Sequence, residues 1–323
     1  MADLLGATGA GIVLLHEEAR GWRVLASDVP HAQCVAVYGD DGLLFAGTRG
    51  GGLWRSEDRG RSWAPLDFQE PDVFSVAVSA ADGTVYAGTE PSGVFRSTDG
   101  GGSWEELATL RDLPSAPTWS FPPRPWTSHV RWIAPSPHDA GRLLVGIELG
   151  GLMLSEDGGA TWQDHRPGAQ PDVHSLAWHP REPGRAYEAG GGGAAWSSDG
   201  GRTWRPADAG RDRSYTWSVA VDPADPDRWF VSASPGPMNA HRAGRAEAYI
   251  YRWRGEGPWD RLAGGLPQPL DAMPYALLAL DDRLVAGLLD GRVFTSVDGG
   301  DTWSQAELGG DPLPSLVALA PLQ

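Results

Sequence analysis

The stretch Ser97-Thr-Asp-Gly-Gly-Gly-Ser-Trp104 decides the fold, because its pattern S-x-D-x-G-x-[ST]-W recurs along the chain. Four other clear copies have their aspartates at positions 58, 157, 199 and 298. The steps between successive aspartates are 41, 58, 42 and 99 residues. The last step is about twice a period of roughly 40–50 residues, which is typical of repeat architectures, so one copy within it has decayed.

Two degenerate copies complete the series. Residues 251–262 (YRWRGEGPWDRL) fill the long step, and residues 16–25 (HEEARGWRVL) place Trp22 one period before Trp63. The 323-residue chain therefore divides into seven units of roughly 46 residues each.

Each unit has the pattern of a four-stranded sheet. In the second clear unit, residues 73–79 (VFSVAVS), 84–88 (TVYAG) and 93–97 (GVFRS) form short apolar runs, and a fourth short strand follows Trp104. Short runs separated by turn residues, without helical periodicity, indicate an all-β chain. Four strands per unit at this period predict a single seven-bladed β-propeller over residues 1–323.

The two ends of the chain predict how the ring closes. Residues 314–321 (PSLVALAP) match a first strand that has no followers, whereas residues 4–15 match second and third strands that have no first strand. We expect these segments to pair within the seventh blade, so that no sheet edge is left open.

The repeated motif has a structural interpretation. Its aspartate can accept backbone N–H groups across the turn between the third and fourth strands, and its glycines permit positive φ. Its tryptophan can pack against the neighbouring blade, which accounts for the 16 tryptophans of the chain. A metal or substrate role for the aspartates is less favoured, since a functional site requires asymmetry and these residues recur in every unit.

Composition excludes several classes of partner. A formal net charge of −16 and a pI near 4.8 argue against nucleic acid and anionic membranes, because both require clustered basic residues. The single cysteine, Cys34, excludes an internal disulfide and a cysteine-based zinc site. Residues 1–18 lack the features of a signal peptide, and no run reaches transmembrane length, so we expect a soluble, cytoplasmic and monomeric protein.

These motifs resemble the BNR or Asp-box repeat family of β-propellers over nearly the whole chain. That family includes sialidases, sortilin-type receptor domains, xyloglucan-cleaving glycoside hydrolases and the photosystem II assembly factor. The resemblance implies the propeller fold, and one such scaffold carries many activities.

The chain departs from each of these relatives. The [FY]-R-I-P motif of sialidases is absent, and residues 121–125 (FPPRP) are only superficially similar to it. A second propeller, a disulfide-rich companion and an export leader, which the other members have, are not seen in this sequence. An enzyme of this kind would be a glycosidase-like hydrolase or a lyase rather than a typical sialidase.

Propeller geometry locates the candidate site at one mouth of the central axis. The two long insertions, at residues 109–127 and 235–247, both fall on the face that also carries the loops between second and third strands. Long ordered loops in a compact fold are often functional. Aligning the first strands gives one axial residue per blade, namely Gln33, Phe74, Arg131, His174, Trp217, roughly Ala276 and Ser315.

Polar side chains gather on only some of the blades. Just past the second strands lie Arg49, Glu90 and Glu148, whereas other blades have Gly190 and Ser234 there. Together with neighbouring residues they predict a pocket for a small polar molecule or glycan, whose further ligand-binding candidates are His129, Arg131, Tyr215, Trp217, Asn239 and His241.

Glycoside cleavage would use two carboxylates near the axis, with Glu90 and Glu148 as acid and base and His174 as the alternative proton shuttle. Arg131 would orient the substrate. A metal could use His129, His174 and His241 with Glu148, but no ligand spacing requires one, so we expect neither a metal nor another cofactor. Alternatively, the charged residues form solvated pairs, the histidines bond backbone, and the chain is a non-catalytic scaffold with a protein partner.

Overall fold

Each repeated unit folds as its own antiparallel sheet. The structure is a computed structural model that describes residues 3–19, 21–38, 42–121 and 127–322. Its strands form seven sheets in which consecutive strands pair, and the first strands of neighbouring sheets contact one another. The predicted seven-bladed β-propeller of four-stranded blades is therefore confirmed.

The strands of the first six blades follow one another along the chain. From the axis outward they are Ala32–Tyr38, Leu43–Thr48, Leu53–Ser56 and Ala64–Pro65 in blade 1; Val73–Val78, Val85–Thr89, Val94–Ser97 and Glu105–Glu106 in blade 2; Val130–Pro135, Leu143–Ile147 and Gly151–Ser155 in blade 3; Val173–Trp178, Ala186–Gly190, Gly193–Ser197 and Arg205–Pro206 in blade 4; Tyr215–Val221, Arg228–Ser234, Tyr249–Arg254 and Asp260–Leu262 in blade 5; and Pro274–Ala279, Leu284–Leu288, Val293–Ser296 and Ser304–Gln305 in blade 6. In blade 3 the fourth strand is reduced to a bridge between Leu154 and Gln163.

Blade 7 is built from both ends of the chain. Its strands are Ala318–Leu322, Asp3–Ala7, Ile12–Glu18 and Gly21–Ser27. The first two pair antiparallel, with Ala7 opposite Ala318, as the sequence predicts. An additional strand, Leu308–Gly310, pairs in parallel with the outer edge of this blade and was not predicted.

The two insertions carry the helical segments of the described chain. The first contains the 3-10 turns Ala108–Asp112 and Ala116–Thr118, and its residues 122–126 lie outside the described residues. The second contains the short helix Pro237–Ala240. No helix in the described part of the chain is long and apolar enough to cross a membrane.

The repeated motif forms the turn between the third and fourth strands. In blade 2, Asp99 accepts the backbone N–H of Ser103 at 2.9 Å and the hydroxyl of Ser97 at 2.7 Å. The same Ser97 oxygen accepts the N–H of Gly101 at 2.8 Å. This network satisfies the backbone of the turn, and it recurs at the other four motif aspartates.

The hydrophobic core lies between the blades. Seven clusters of buried side chains each join two neighbouring blades, and the motif tryptophans pack into five of them, as Trp204 does between blades 3 and 4. The close approach of blades requires glycine on the second strands. A Cβ on Gly146 would lie 2.4 Å from Val173 of the next blade.

Candidate functional site

A one-residue bulge in the first strand defines the axial layer of side chains. Pairing skips one residue between Val130 and Trp132 in blade 3, and the extra residue is Arg131. Bulges occur at the equivalent points of blades 1, 2, 4, 5 and 6. A bulge re-aims a side chain away from the regular alternation of a strand. In five of these blades the bulged residue is Gln33, Phe74, Arg131, His174 or Tyr275, and in blade 5 the bulge spans Trp217 and Ser218.

Two of the aligned axial positions are wrong. In blade 6 the axial residue is Tyr275 rather than Ala276, because the bulge lies between Pro274 and Ala276. In blade 7 Leu316 lies against Gly287 as Val173 lies against Gly146, so the residue after it, Val317, is in the axial layer instead of Ser315. The hydroxyl of Ser315 donates to the carbonyl of Thr8.

An imidazole between two glutamates lies at the centre of the site. His129 is 98 % buried, and its Nε2 lies 2.6 Å from Oε2 of Glu148. Its Nδ1 lies 3.2 Å from Oε2 of Glu90. The ring stacks on Phe74 with centroids 4.2 Å apart, which fixes its orientation. Glu90 and Glu148 are therefore brought to the same imidazole, one on each side.

The local electrostatics of this imidazole favour its charged form. Burial alone would lower the pKa of His129, but the hydrogen bonds to Glu148 and Glu90 outweigh burial and raise it. Burial likewise opposes ionisation of Glu148, yet the hydrogen bond from His129 and the charge of Arg131 lower the pKa of Glu148 to about 2. Glu148 is thus a carboxylate at neutral pH and cannot act there as a proton donor.

Arg131 connects this pair to an aromatic wall. Its Nε lies 3.7 Å from Oε2 of Glu148, and its Cζ lies 4.7 Å from the centroid of the Trp217 ring. Trp217 in turn stacks on Tyr275 with centroids 4.6 Å apart. The guanidinium is held by both a carboxylate and a π-face, so it is fixed in position before any ligand arrives.

A second histidine also packs against Trp217. His174 is 99 % buried between Tyr215 and Trp217, whose centroids are 4.8 and 4.5 Å away. Its Nδ1 lies 2.6 Å from the carbonyl of Thr216, and its Nε2 lies 3.4 Å from Oδ2 of Asp172.

The second insertion reaches the site through His241. Nε2 of His241 lies 3.0 Å from the hydroxyl of Tyr215, and its Nδ1 contacts the hydroxyl of Tyr275. Burial raises the pKa of both phenols, so both keep their protons. A neutral imidazole has one N–H, so one phenol donates to His241 and the other accepts from it.

Two of the predicted residues stand apart from this arrangement. Arg49 is exposed, and its Cζ lies 5.7 Å from the ring of Phe74 rather than against a carboxylate of the site. Asn239 donates to the carbonyl of Arg245 and to Glu247, both at 3.2 Å, and so bonds within its own loop.

The structure also adds two residues that the sequence analysis missed, Asp172 and Tyr275. Asp172 lies two residues before the axial His174, the position that His129 occupies in blade 3 and Tyr215 in blade 5. Comparing the residues two before each axial position would have found it, since such residues share a face of a strand. We refer to the ten residues brought together as the mouth cluster: Glu90, His129, Arg131, Glu148, Asp172, His174, Tyr215, Trp217, His241 and Tyr275.

The first insertion covers part of the mouth cluster. Phe121 packs edge-on against His129 with centroids 5.1 Å apart, and the hydroxyl of Thr127 lies 3.4 Å from Glu90. Below the cluster, first-strand residues of all seven blades line an axial cavity of about 290 Å³. A wider hollow of about 590 Å³ near Tyr38, Asp82 and Pro321 is lined mainly by apolar groups and lies away from the mouth cluster.

The architecture and site define a class: a seven-bladed β-propeller with an asymmetric polar cluster at one axial mouth. Comparison with known proteins adds particular relatives. The oligoxyloglucan-reducing end-specific xyloglucanase of Emericella nidulans is 29 % identical over 141 residues, which is 42 % of this chain and 17 % of that enzyme. No protein-family model matches the chain.

Solved structures show the same fold. The GH74 xyloglucanase from Xanthomonas campestris superposes with a TM-score of 0.65 at 19 % identity, over 94 % of this chain and 47 % of that one. A structure of YCF48 bound to D1 peptide superposes with a TM-score of 0.57 at 19 % identity, over 85 % of this chain and 81 % of that one. The chain thus spans less than half the length of the xyloglucanases it matches, and at these identities the superpositions show the fold alone.

Proposed function

We propose that the mouth cluster binds a small polyhydroxylated ligand of the carbohydrate class. The observation that carries this proposal is the convergence of Glu90, Glu148 and Asp172 with Arg131 at one end of the axis. Carboxylates accept hydrogen bonds from sugar hydroxyls, and a guanidinium donates to sugar oxygens. The aromatic rings of Tyr215, Trp217 and Tyr275 supply the apolar wall that such pockets combine with a few directed polar groups.

The relatives favour a glycan over other small polar molecules. One is a xyloglucanase that aligns with 42 % of this chain, and another is a GH74 xyloglucanase with the same fold. Xyloglucan oligosaccharides are therefore the first ligands to test.

Cleavage of a bound glycan would need a proton donor beside a carboxylate. Glu148 has a pKa of about 2 and is available only as the carboxylate. His129 cannot be the donor that works with it, because its Nε2 lies 2.6 Å from Glu148, whereas the acid and base of a glycosidase lie at least about 5 Å apart. The donor would then have to be Glu90, which lies on the opposite side of the His129 ring from Glu148.

Calorimetric titration with xyloglucan oligosaccharides tests the proposal, with reducing-end release followed in the same samples. We expect the unmodified chain to bind and Arg131→Gln and Glu148→Gln to lose most of the affinity. Arg181→Gln is the matched control, since Arg181 is an exposed arginine paired with Asp281 away from the mouth. Failure of the unmodified chain to bind any glycan, or equal binding by all variants, would contradict the proposal.

A peptide partner is the second candidate. Leu149 and Met238 are 44 % and 66 % exposed on the face that carries the mouth, and the propeller of YCF48 has been solved with a peptide bound. A Met238→Ser variant would weaken a peptide contact and leave glycan binding unchanged, so pull-down and titration together separate the two candidates.

A further inference from the structure

Three potential metal ligands converge at one edge of the mouth cluster. Glu148, Asp172 and His174 each offer one ligand atom, and the three atoms lie within 4.8 Å of one another. Glu148 directly follows the second strand of blade 3, Asp172 directly precedes the first strand of blade 4, and His174 lies within that strand. The two blades are neighbours around the ring. The sequence analysis expects no metal, and the alternative it considers uses His129, His174 and His241 with Glu148. The structure brings His174 and Glu148 of that set together with Asp172 instead.

The ring nitrogen of His174 that is unpartnered within the described chain faces this group. Its Nδ1 lies 2.6 Å from the carbonyl of Thr216, and a carbonyl can only accept, so Nδ1 carries a proton. Nε2 is buried and has no hydrogen-bond partner among the described residues, although it faces Oδ2 of Asp172 at 3.4 Å. A cation between Nε2 and Oδ2 of Asp172 would take one ligand atom from each residue.

The outer shell of the group has the features of a metal site. An imidazole ligand in proteins usually donates its other N–H to a carbonyl or carboxylate, as His174 does to Thr216. Asp172 also receives the N–H of Leu149 at 3.3 Å, which fixes its second oxygen. These contacts orient two of the three ligands before a metal arrives.

The spacing selects the kind of cation. With bonds of about 2.0–2.1 Å, the ligand atoms of a tetrahedral zinc lie about 3.3 Å apart. The separation of Nε2 of His174 and Oδ2 of Asp172 is 3.4 Å, so this edge fits, and the oxygen of Glu148, which lies within 4.8 Å of both, would move inward when the metal binds. One nitrogen and two carboxylate oxygens suit zinc or manganese rather than magnesium or calcium, which prefer oxygen alone.

Arg131 opposes a cation at this position, because its Nε lies 3.7 Å from Oε2 of Glu148. Its guanidinium is also held on the face of Trp217, and the negative charge of Glu90 lies on the far side of His129. The imidazole of His129, 2.6 Å from Oε2 of Glu148 and favoured in its charged form, opposes a cation as well. The three carboxyl groups of the mouth cluster outnumber these two cationic side chains.

We infer that Glu148, Asp172 and His174 form a binding site for one divalent transition cation of the zinc type, with its remaining coordination position open to the mouth. The inference does not depend on glycan binding, since it concerns the metal alone. Three protein ligands with an open position leave room for a water or for an oxygen of a bound molecule.

Zinc titration of the chelator-treated full chain tests the inference, with cobalt absorption spectra as a second readout. We expect one zinc per chain and a cobalt spectrum of low coordination number. Asp172→Asn and His174→Gln should each lower zinc affinity by more than about 100-fold, because loss of even an outer-shell partner costs about 10- to 100-fold. Asp172 is only partly buried, so its variant keeps the test valid if the His174 variant does not fold.

His16→Gln is the matched control, because His16 also lies against an aspartate, with Nδ1 3.0 Å from Asp3. It should bind zinc like the unmodified chain. Absence of stoichiometric zinc binding overturns the inference, and so does binding that survives Asp172→Asn or disappears in His16→Gln. Glycan titration before and after chelation separates this result from the proposed function.

Discussion

Replacing Glu188 with glutamine should stabilise the propeller, and increasingly so as the pH rises. Glu188 lies on the second strand of blade 4 and is fully buried. Its Oε2 accepts the N–H of Gln170 at 2.9 Å, while Oε1 has no hydrogen-bond partner among the described residues. Burial penalises the carboxylate and raises the pKa of Glu188 to about 8.

The magnitude follows from linkage between protonation and folding. The pKa rises from 4.5 in the unfolded chain to about 8 in the folded chain. Below pH 4.5 Glu188 is protonated in both the folded and the unfolded chain, so it does not lower the free energy of unfolding. Between the two pKa values only the unfolded chain has released its proton, so the free energy of unfolding falls as the pH rises. At about 1.4 kcal/mol per pH unit, the loss is about 3 kcal/mol at pH 7 and approaches about 5 kcal/mol above pH 8.

Urea unfolding of both proteins at several values between about pH 5 and about pH 9 measures this effect. The free energy of unfolding of Glu188→Gln minus that of the unmodified chain should rise with pH and level off above the folded pKa. Glutamine keeps an acceptor for the N–H of Gln170. Any other effect of the substitution on the free energy of unfolding is independent of pH, so it does not change the slope of the difference against pH. Glu256→Gln, at an exposed glutamate, should show no slope. A difference in unfolding free energy that does not change with pH would contradict the raised pKa of Glu188.

Three further changes test how the ring is held together, each by its effect on unfolding. Deleting residues 314–323 removes the strand paired with Asp3–Ala7 and should sharply lower the melting temperature; an unchanged melting curve would contradict closure through blade 7. Gly146→Ala places a Cβ 2.4 Å from Val173 and should cost about 1–3 kcal/mol in urea unfolding, and a neutral result would show that the blades can separate freely. Trp204→Ala empties a position that is 4 % exposed between blades 3 and 4 and should cost about 3–5 kcal/mol, whereas a cost below about 1 kcal/mol would show that this tryptophan is not part of the core.

The architecture could be predicted from the sequence because it depends on a local, repeated signal. Each copy of the motif forms its own turn through contacts within eight residues, as Ser97, Asp99 and Ser103 show, so the number of copies fixes the number of blades. The split seventh blade could also be predicted. The C-terminal segment has the pattern of a first strand with no strands after it, and the N-terminal segment has the pattern of second and third strands with no first strand before them.

The site was predictable as a region and less so as a set of residues. The structure brings Arg131, Glu148 and His174 together at the mouth, because the bulge that carries Arg131 and His174 falls at the same point of most blades and Glu148 follows the second strand beside it. Tyr275 was missed because blade 6 has no clear sequence match there, and a shift of one residue exchanges the two faces of a strand.

The roles of single side chains depend on contacts between distant segments, which no local pattern reports. The predicted ligand Asn239 instead bonds within its own loop. The position of Glu148 beside His129, and the low pKa that follows, results from a pairing between two strands of blade 3.

The most direct test of the mouth cluster as a ligand site is a crystal structure of the chain soaked with a xyloglucan oligosaccharide. We predict sugar density at the axial mouth, with hydroxyl groups within hydrogen-bond distance of Glu148 and Arg131. Density confined to the outer blade surfaces, or a mouth that holds only water at saturating sugar, would contradict the account.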